Sequence, residues 1–167
     1  MDKLTAPDTH HLGFATGWLE LGNATEALTE LAKLSPATAT HPDVLEVRWA
    51  IAARVDDWKQ ALEVAQRLVE TEPGRASGWL HRAYALRRVT GGGLQSAWDA
   101  LLPAAMKFPG EPTIPYNLAC YACQLGQLDG ARAWLLGARA IGGKSEIKRM
   151  ALKDEDLKPL WTEVSEW

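Results

Sequence analysis

Apolar residues recur along this chain in columns rather than in runs. Ala27, Ala61, Ala97 and Ala131 each open an amphipathic stretch, and they are separated by 34, 36 and 34 residues. Leu31, Ala65, Leu101 and Leu135 stand four positions later, and Leu34, Leu68, Ala104 and Ala138 seven positions later. That spacing draws one apolar stripe along one side of a helix. Three residues before each alanine come Ala24, Trp58, Leu94 and Leu128. Five before come Gly22, Asp56, Gly92 and Gly126, turn formers that separate this helix from an earlier one. Pro73 and Pro109 end the second and third units, and Pro36 ends the first sooner. A repeat of this length marks stacked supersecondary units, none of which can bury its apolar face alone.

The pattern predicts eight paired helices, over 8–21, 25–34, 42–55, 58–70, 75–89, 95–107, 114–125 and 129–140. Two more follow as a tail, near 146–151 and 155–166. Pro103 falls inside the sixth helix, where it removes the hydrogen bond to the Asp99 carbonyl and predicts a kink. In the tail, Ser145 and Asp154 are suited to cap helices that carry Ile147, Met150 and Ala151, then Leu157, Leu160, Trp161 and Val164. Those stripes are read as a cap over the last repeat, with docking on another chain as the alternative.

The first helices carry a pattern of their own. Tyr116-Asn117-Leu118-Ala119 is followed by Ala122, by Leu125-Gly126-Gln127-Leu128 and by Ala131. Phe14-Ala15, Trp18, Leu21-Gly22, Ala27 and Leu31 repeat it in the first unit. Leu45, Trp49, Ala52 and Trp58 follow it in the second, with Arg48 at a position usually apolar, and Trp79, Ala83, Leu86 and Leu94 in the third. Over about Asp8 to Ile141 this resembles the tetratricopeptide repeat family. The resemblance implies an all-α fold, a right-handed α-solenoid of antiparallel helix pairs. It sets repeats at about 8–39, 42–73, 76–109 and 112–143 and a cap at 145–167, in one domain spanning 1–167.

The resemblance further implies a concave face lined by the first helix of each pair, which binds a peptide or helix of a partner protein. Registering the chain to the pattern puts Leu12, Thr16 and Glu20 there from the first unit. The second supplies Asp43, Glu46, Ala50 and Arg54, and the third Leu80, Tyr84, Arg87 and Arg88. The fourth supplies Tyr116, Asn117, Cys120 and Gln124. The candidate partner-binding residues are therefore Glu46, Arg54, Tyr84, Arg87, Arg88, Tyr116, Asn117 and Gln124. Family members that hold acidic chaperone termini use Lys, Asn and Arg at set positions. Here those positions include Leu12, Thr16, Val47, Ser77 and His81, so that clamp is missing.

Composition narrows the function further. Hydrophobic residues are 47% and charged residues 23%, as in an ordinary soluble domain, and the formal net charge is −3. Neither nucleic acid nor an anionic membrane is an expected partner. The start of the chain has no apolar signal stretch and no run of apolar residues could span a bilayer, so the expected location is cytoplasmic. Eight Trp outnumber the two Phe and three Tyr, and most fall on repeat columns, which assigns them to packing.

Cys120-Tyr121-Ala122-Cys123 lies mid-helix without the extra ligands that zinc needs, so no metal is expected. Gly143-Lys144-Ser145 lacks the earlier glycine and the strand of a phosphate loop. His10, His11, His41 and His81 form no metal-binding spacing, and no nucleophile motif is present. No catalytic residue or cofactor is therefore assigned. The leading reading is a scaffold or adaptor. A chaperone for secreted or assembling substrates is one alternative, and a self-associating protein that dimerises through exposed Trp such as Trp167 is another.

Overall fold

The computed structural model describes residues 4–167. Residues 1–3, which open the segment read above as lacking a signal stretch, lie outside the described residues. Among the described residues the regular structure is entirely helical. Helices α1 (Ala6–Glu20), α2 (Ala24–Leu31), α3 (Pro42–Arg54), α4 (Trp58–Thr71) and α5 (Ala76–Arg88) form the first half of the chain. Helices α6 (Leu94–Lys107), α7 (Thr113–Gln124), α8 (Leu128–Gly142), α9 (Lys144–Ala151) and α10 (Trp161–Ser165) form the second. Short 3-10 turns cover Pro36–Thr38 and Glu155–Leu160. The chain divides into two compact units, Met1–Thr90 and Gly91–Trp167, so the boundary falls at the glycine turn of the third repeat.

In the first unit, α1 packs on α2 and α3 on α4, each pair joined by a tight turn. The turns work because one residue takes a left-handed conformation: Gly22 at φ 80° and Asp56 at φ 57°. Each following helix is capped from the turn. Asn23 accepts from the Glu26 amide at 3.1 Å, and Asp57 from the Gln60 amide at 3.0 Å. At the third turn the left-handed residues are Gly91 and Gly93, which flank the Gly92 that the alignment singles out. The two-residue insertion displaces the register there.

Ala15, Ala27, Ala52, Ala61 and Ala83 are all completely buried, as the column pattern requires. Ala15, Ala27, Leu31 and Ile51 make one core cluster, and Ala52, Ala61 and Ala85 another. Helix α2 stops at Leu31, short of the expected Leu34, and Asp8 explains why. Its buried carboxylate accepts from the Ser35 amide at 2.9 Å and from the Ser35 hydroxyl at 2.6 Å. Those two bonds, the hydroxyl's first, hold the Asp8 carboxyl below its usual value and draw the chain out of the helix before Pro36. Phe14 and Leu21 match the repeat pattern but are 61% and 78% exposed. Both lie on a side of α1 that no described element covers.

In the second unit, α7 is buried over most of its surface: Ile114, Leu118, Ala119, Tyr121 and Ala122 all have 2% exposure or less, and only the side of Thr113, Asn117 and Gln124 is partly open. Helix α8 covers one face of it and the turn Glu155–Leu160 another. Helix α9 packs on α8 through Ile147 and Ala151, and Leu157, Leu160 and Val164 complete the cap with at most 1% exposure. The tail thus does what its apolar stripes imply, but in a different shape. Instead of one helix over 155–166 there is a 3-10 turn containing Pro159, followed by the short α10. Asp154 caps it, accepting from the Asp156 amide at 3.0 Å. Ser145 does not cap: α9 already begins at Lys144, launched by Gly143 at φ 85°.

Trp167 is not a free surface residue. It is half-buried with the Arg139 guanidinium 4.8 Å from its ring centre, and its backbone oxygen accepts from Lys148 Nζ at 2.7 Å. Helix α6 runs through Pro103, which is exposed, so the amide hydrogen that proline lacks is missing on the solvent side.

Replacing Leu160 by Ala should lower unfolding stability by about 2–4 kcal/mol, the usual result of emptying a fully buried leucine site. Chemical denaturation checks this. A change near zero would show that the tail does not cap the second unit.

Candidate partner-binding site

The residues read as a binding face lie on α1, α3 and α5 in the first unit and on α7 in the second. The two faces are in different states. In the first unit, several charges are already matched across α3 and α5. Glu46 is the hub: His81 Nε2 donates to its Oε2 at 2.6 Å, and the Ser77 hydroxyl donates to its Oε1. Arg75 lies 2.8 Å from Asp43 Oδ1 and 3.6 Å from Glu46 Oε1. Burial alone would raise the Glu46 carboxyl. The bonds from His81 and Ser77, helped by the Arg75 charge, outweigh it and hold the carboxyl below its usual value. Glu46 therefore fastens two first helices together, a structural role for a residue read as a binding contact.

Beside this clamp the face opens into an aromatic recess. Trp49 stacks on His81, ring centres 3.7 Å apart and 10° from parallel, which fixes the indole against α5. Tyr84 meets Trp49 edge-on at 6.0 Å and Trp58 at 5.8 Å. The recess between them holds about 450 Å³, with Leu19 and Glu20 on the α1 side and Ala53 and Arg54 along α3. Such a volume is within the usual range of ligand-sized pockets. Arg88 lies over the ring of Tyr84 at 3.5 Å and that of Trp58 at 5.2 Å. Its Nη1 donates to the Tyr84 carbonyl at 3.1 Å, so the guanidinium is held in place by its own helix. Arg54 lies over the preceding turn, where a Cβ on Gly22 would come within 3.0 Å of its Nη2. Arg87 is half-buried on the same helix as Arg88.

The comparisons with known proteins bear on the fold. MamA 41-end from Desulfovibrio magneticus RS-1 superposes with a TM-score of 0.70 over 98% of this chain and 96% of that one, at 16% identity. TTC0263, a thermophilic TPR protein of Thermus thermophilus, gives 0.70 over 96% and 100%, at 19% identity. A MamA RS-1 ArsTM double mutant gives 0.67 over 88% and 78%, at 17% identity. The chain has the tetratricopeptide repeat fold. No family model matches its sequence, and no curated protein does.

In that fold the first-helix face of the second unit would be the counterpart of the recess, but the chain's own tail fills it. Tyr116 is 6% exposed and its hydroxyl donates to Asp154 Oδ2 at 3.0 Å. Burial, with nearby Cys120 and the carboxylates of Asp154 and Asp156, pushes that hydroxyl far above its usual value. Gln124 Nε2 donates to the Asp156 carbonyl at 2.9 Å, and Asn117 Nδ2 to the Thr113 carbonyl of its own helix at 2.8 Å. Tyr116, Asn117 and Gln124 are thus engaged within the chain.

The tail also brings carboxylates to the cysteines, which spacing alone did not reveal. Cys120 Sγ and carboxylate oxygens of Asp154 and Asp156 lie within 4.8 Å of one another. Both cysteines are buried, and burial followed by the charge of Asp156 pushes the Cys123 thiol up, away from the reactive thiolate.

The Glu46 clamp predicts a pH dependence. A carboxyl held below its unfolded value of 4.5 adds stability that is fully present above that pH and is lost as pH falls through the folded value. Glu46→Gln should cost about 1–3 kcal/mol near neutral pH, and the gap to wild type should close in acid below the unfolded value. Urea unfolding across that range tests it. A gap independent of pH would mean that the ionised form carries none of the effect.

Proposed function

We propose that this chain is a non-catalytic scaffold for protein–protein interaction, and that a segment of its partner lies on the first-helix face of Met1–Thr90. The observation that carries this reading is the aromatic recess bounded by Leu19, Trp49, Trp58 and Tyr84. Trp, Tyr and Arg are the residues most often found to dominate binding energy at protein interfaces, and here all three types meet in one recess. A net charge of −3 supports a protein rather than a nucleic acid as partner. No helix of the described residues is long and apolar enough to cross a membrane.

A second reading, self-association, is favoured by one feature of α1. Phe14, Trp18 and Leu21 border a shallow cleft with Gly13 and Gly17 and are 61%, 38% and 78% exposed. An apolar strip of that kind fits another apolar surface, including a second copy. Concentration-dependent light scattering that responds to Leu21→Lys would favour it.

The main reading is tested by capturing partners from the native cell and measuring each verified partner by direct titration. Tyr84→Ala should weaken binding by about 1 kcal/mol or more without a matching loss of melting temperature. Glu63→Lys, on α4 and outside the recess, should leave binding unchanged. Normal binding by Tyr84→Ala, with loss in Glu63→Lys, would place the partner elsewhere.

A further inference from the structure

Building on that proposed binding face, we infer that the recess takes a peptide segment in which an aliphatic side chain stands beside a carboxylate. The first ground is uncompensated charge. Arg75 on the same face is matched to Asp43 and Glu46. Among the described residues, Arg54 makes no hydrogen bond or ion pair, and Arg88 reaches only the Tyr84 carbonyl and two aromatic rings. Glu20 is the one carboxylate in the wall, and it pairs with neither. Two guanidiniums against one carboxylate leave an excess positive charge beside an apolar surface. Guanidinium groups bind carboxylates through paired, parallel hydrogen bonds.

The second ground is the apolar wall of Leu19, Ala53, Trp58 and Tyr84, which offers an aliphatic side chain contact on several sides.

The second unit contains an occupant of the same kind. There a first-helix face is covered by the acidic and apolar stretch Asp154-Glu155-Asp156-Leu157. Tyr116 donates to the Asp154 carboxylate, Gln124 donates to the Asp156 carbonyl, and Leu157 is fully buried close by. The chain thus displays how a tyrosine-bearing first-helix face receives carboxylate, backbone carbonyl and leucine together. The first unit has guanidiniums that the α7 face lacks, which strengthens the demand for a carboxylate.

The test is a random linear peptide library displayed on phage and panned on the full chain. A parallel selection on the Tyr84→Ala/Arg88→Glu double variant subtracts binders that do not need the recess. The expected enrichment places Asp or Glu within two residues of Leu, Ile, Val or Met. A labelled representative, followed by fluorescence anisotropy, should bind about tenfold more weakly to Arg88→Glu and to Arg54→Glu, and more weakly as salt is raised. Binders without acidic residues, or with Lys and Arg instead, would overturn the carboxylate preference while leaving a partner site in the recess. No peptide requiring Tyr84 and Arg88 would overturn the occupant and count against the recess itself, whereas partner mapping elsewhere on the chain would sink only the latter. A labelled oligouridylate that binds and loses affinity in Arg88→Glu would also overturn the inference, in favour of a nucleic-acid ligand.

Discussion

Helices in this chain lie close together because the residue at each crossing has no side chain beyond its Cβ. Ala15, Ala27, Ala52, Ala61, Ala83, Ala97, Ala119 and Ala131 have no exposed surface at all. Each lets two backbones approach, and the larger residues fill the spaces on either side. Enlarging any one would push a helix pair apart rather than disturb a single contact. The same rule sets what remains for recognition. With alanines at the crossings, the six tryptophans on the repeat columns sit beside the contacts and stay partly exposed. Trp49 and Trp58 therefore hold the fold together and also present aromatic faces at the surface.

The two units use equivalent helix faces differently. On α7 the face is closed from within by Asp154, Asp156, Leu157 and Leu160, and its tyrosine is no longer available to a partner. On α3 and α5 the face is partly closed by the Glu46 clamp, which ties the helices and neutralises Arg75. What it leaves is a recess in which Arg88 is oriented by its own helix, pinned to the Tyr84 carbonyl and ring, while Arg54 lies close to the Gly22 turn. Groups held in place before binding lose less freedom when a partner arrives.

The repeat, its helices and its capping tail were legible in the sequence, because each rests on short spacings that fix which residues share a face. Alanine columns and turn residues are local signals, and they placed most helix ends to within a few residues. Long-range pairings were not legible. The tail meets α7 through Tyr116 and Asp154, 38 positions apart, and Asp8 shortens α2 through Ser35, 27 positions away. Neither pair belongs to a repeated column, so no periodicity announces it. At the recess proposed as a binding face, register places Arg54, Tyr84 and Arg88 on one side of their helices, whereas Trp49 and Trp58 were set aside as packing. Their spacing from Arg54 was a usable clue: Trp49 and Ala53 continue the side of α3 on which Ala50 and Arg54 stand.

The central claim is that one first-helix face is open and its counterpart on α7 is closed by the chain itself. Hydroxyl-radical footprinting read by mass spectrometry reports both states in one experiment. Tyr84, 38% exposed, should oxidise readily in the free protein, while Tyr116 and Tyr121, at 6% and 2%, should be protected. A verified partner should then protect Tyr84 and Trp58 and leave Tyr116 as it was. Fast oxidation of Tyr116 in the free protein, or a partner that exposes Tyr116 while leaving Tyr84 reactive, would contradict the account.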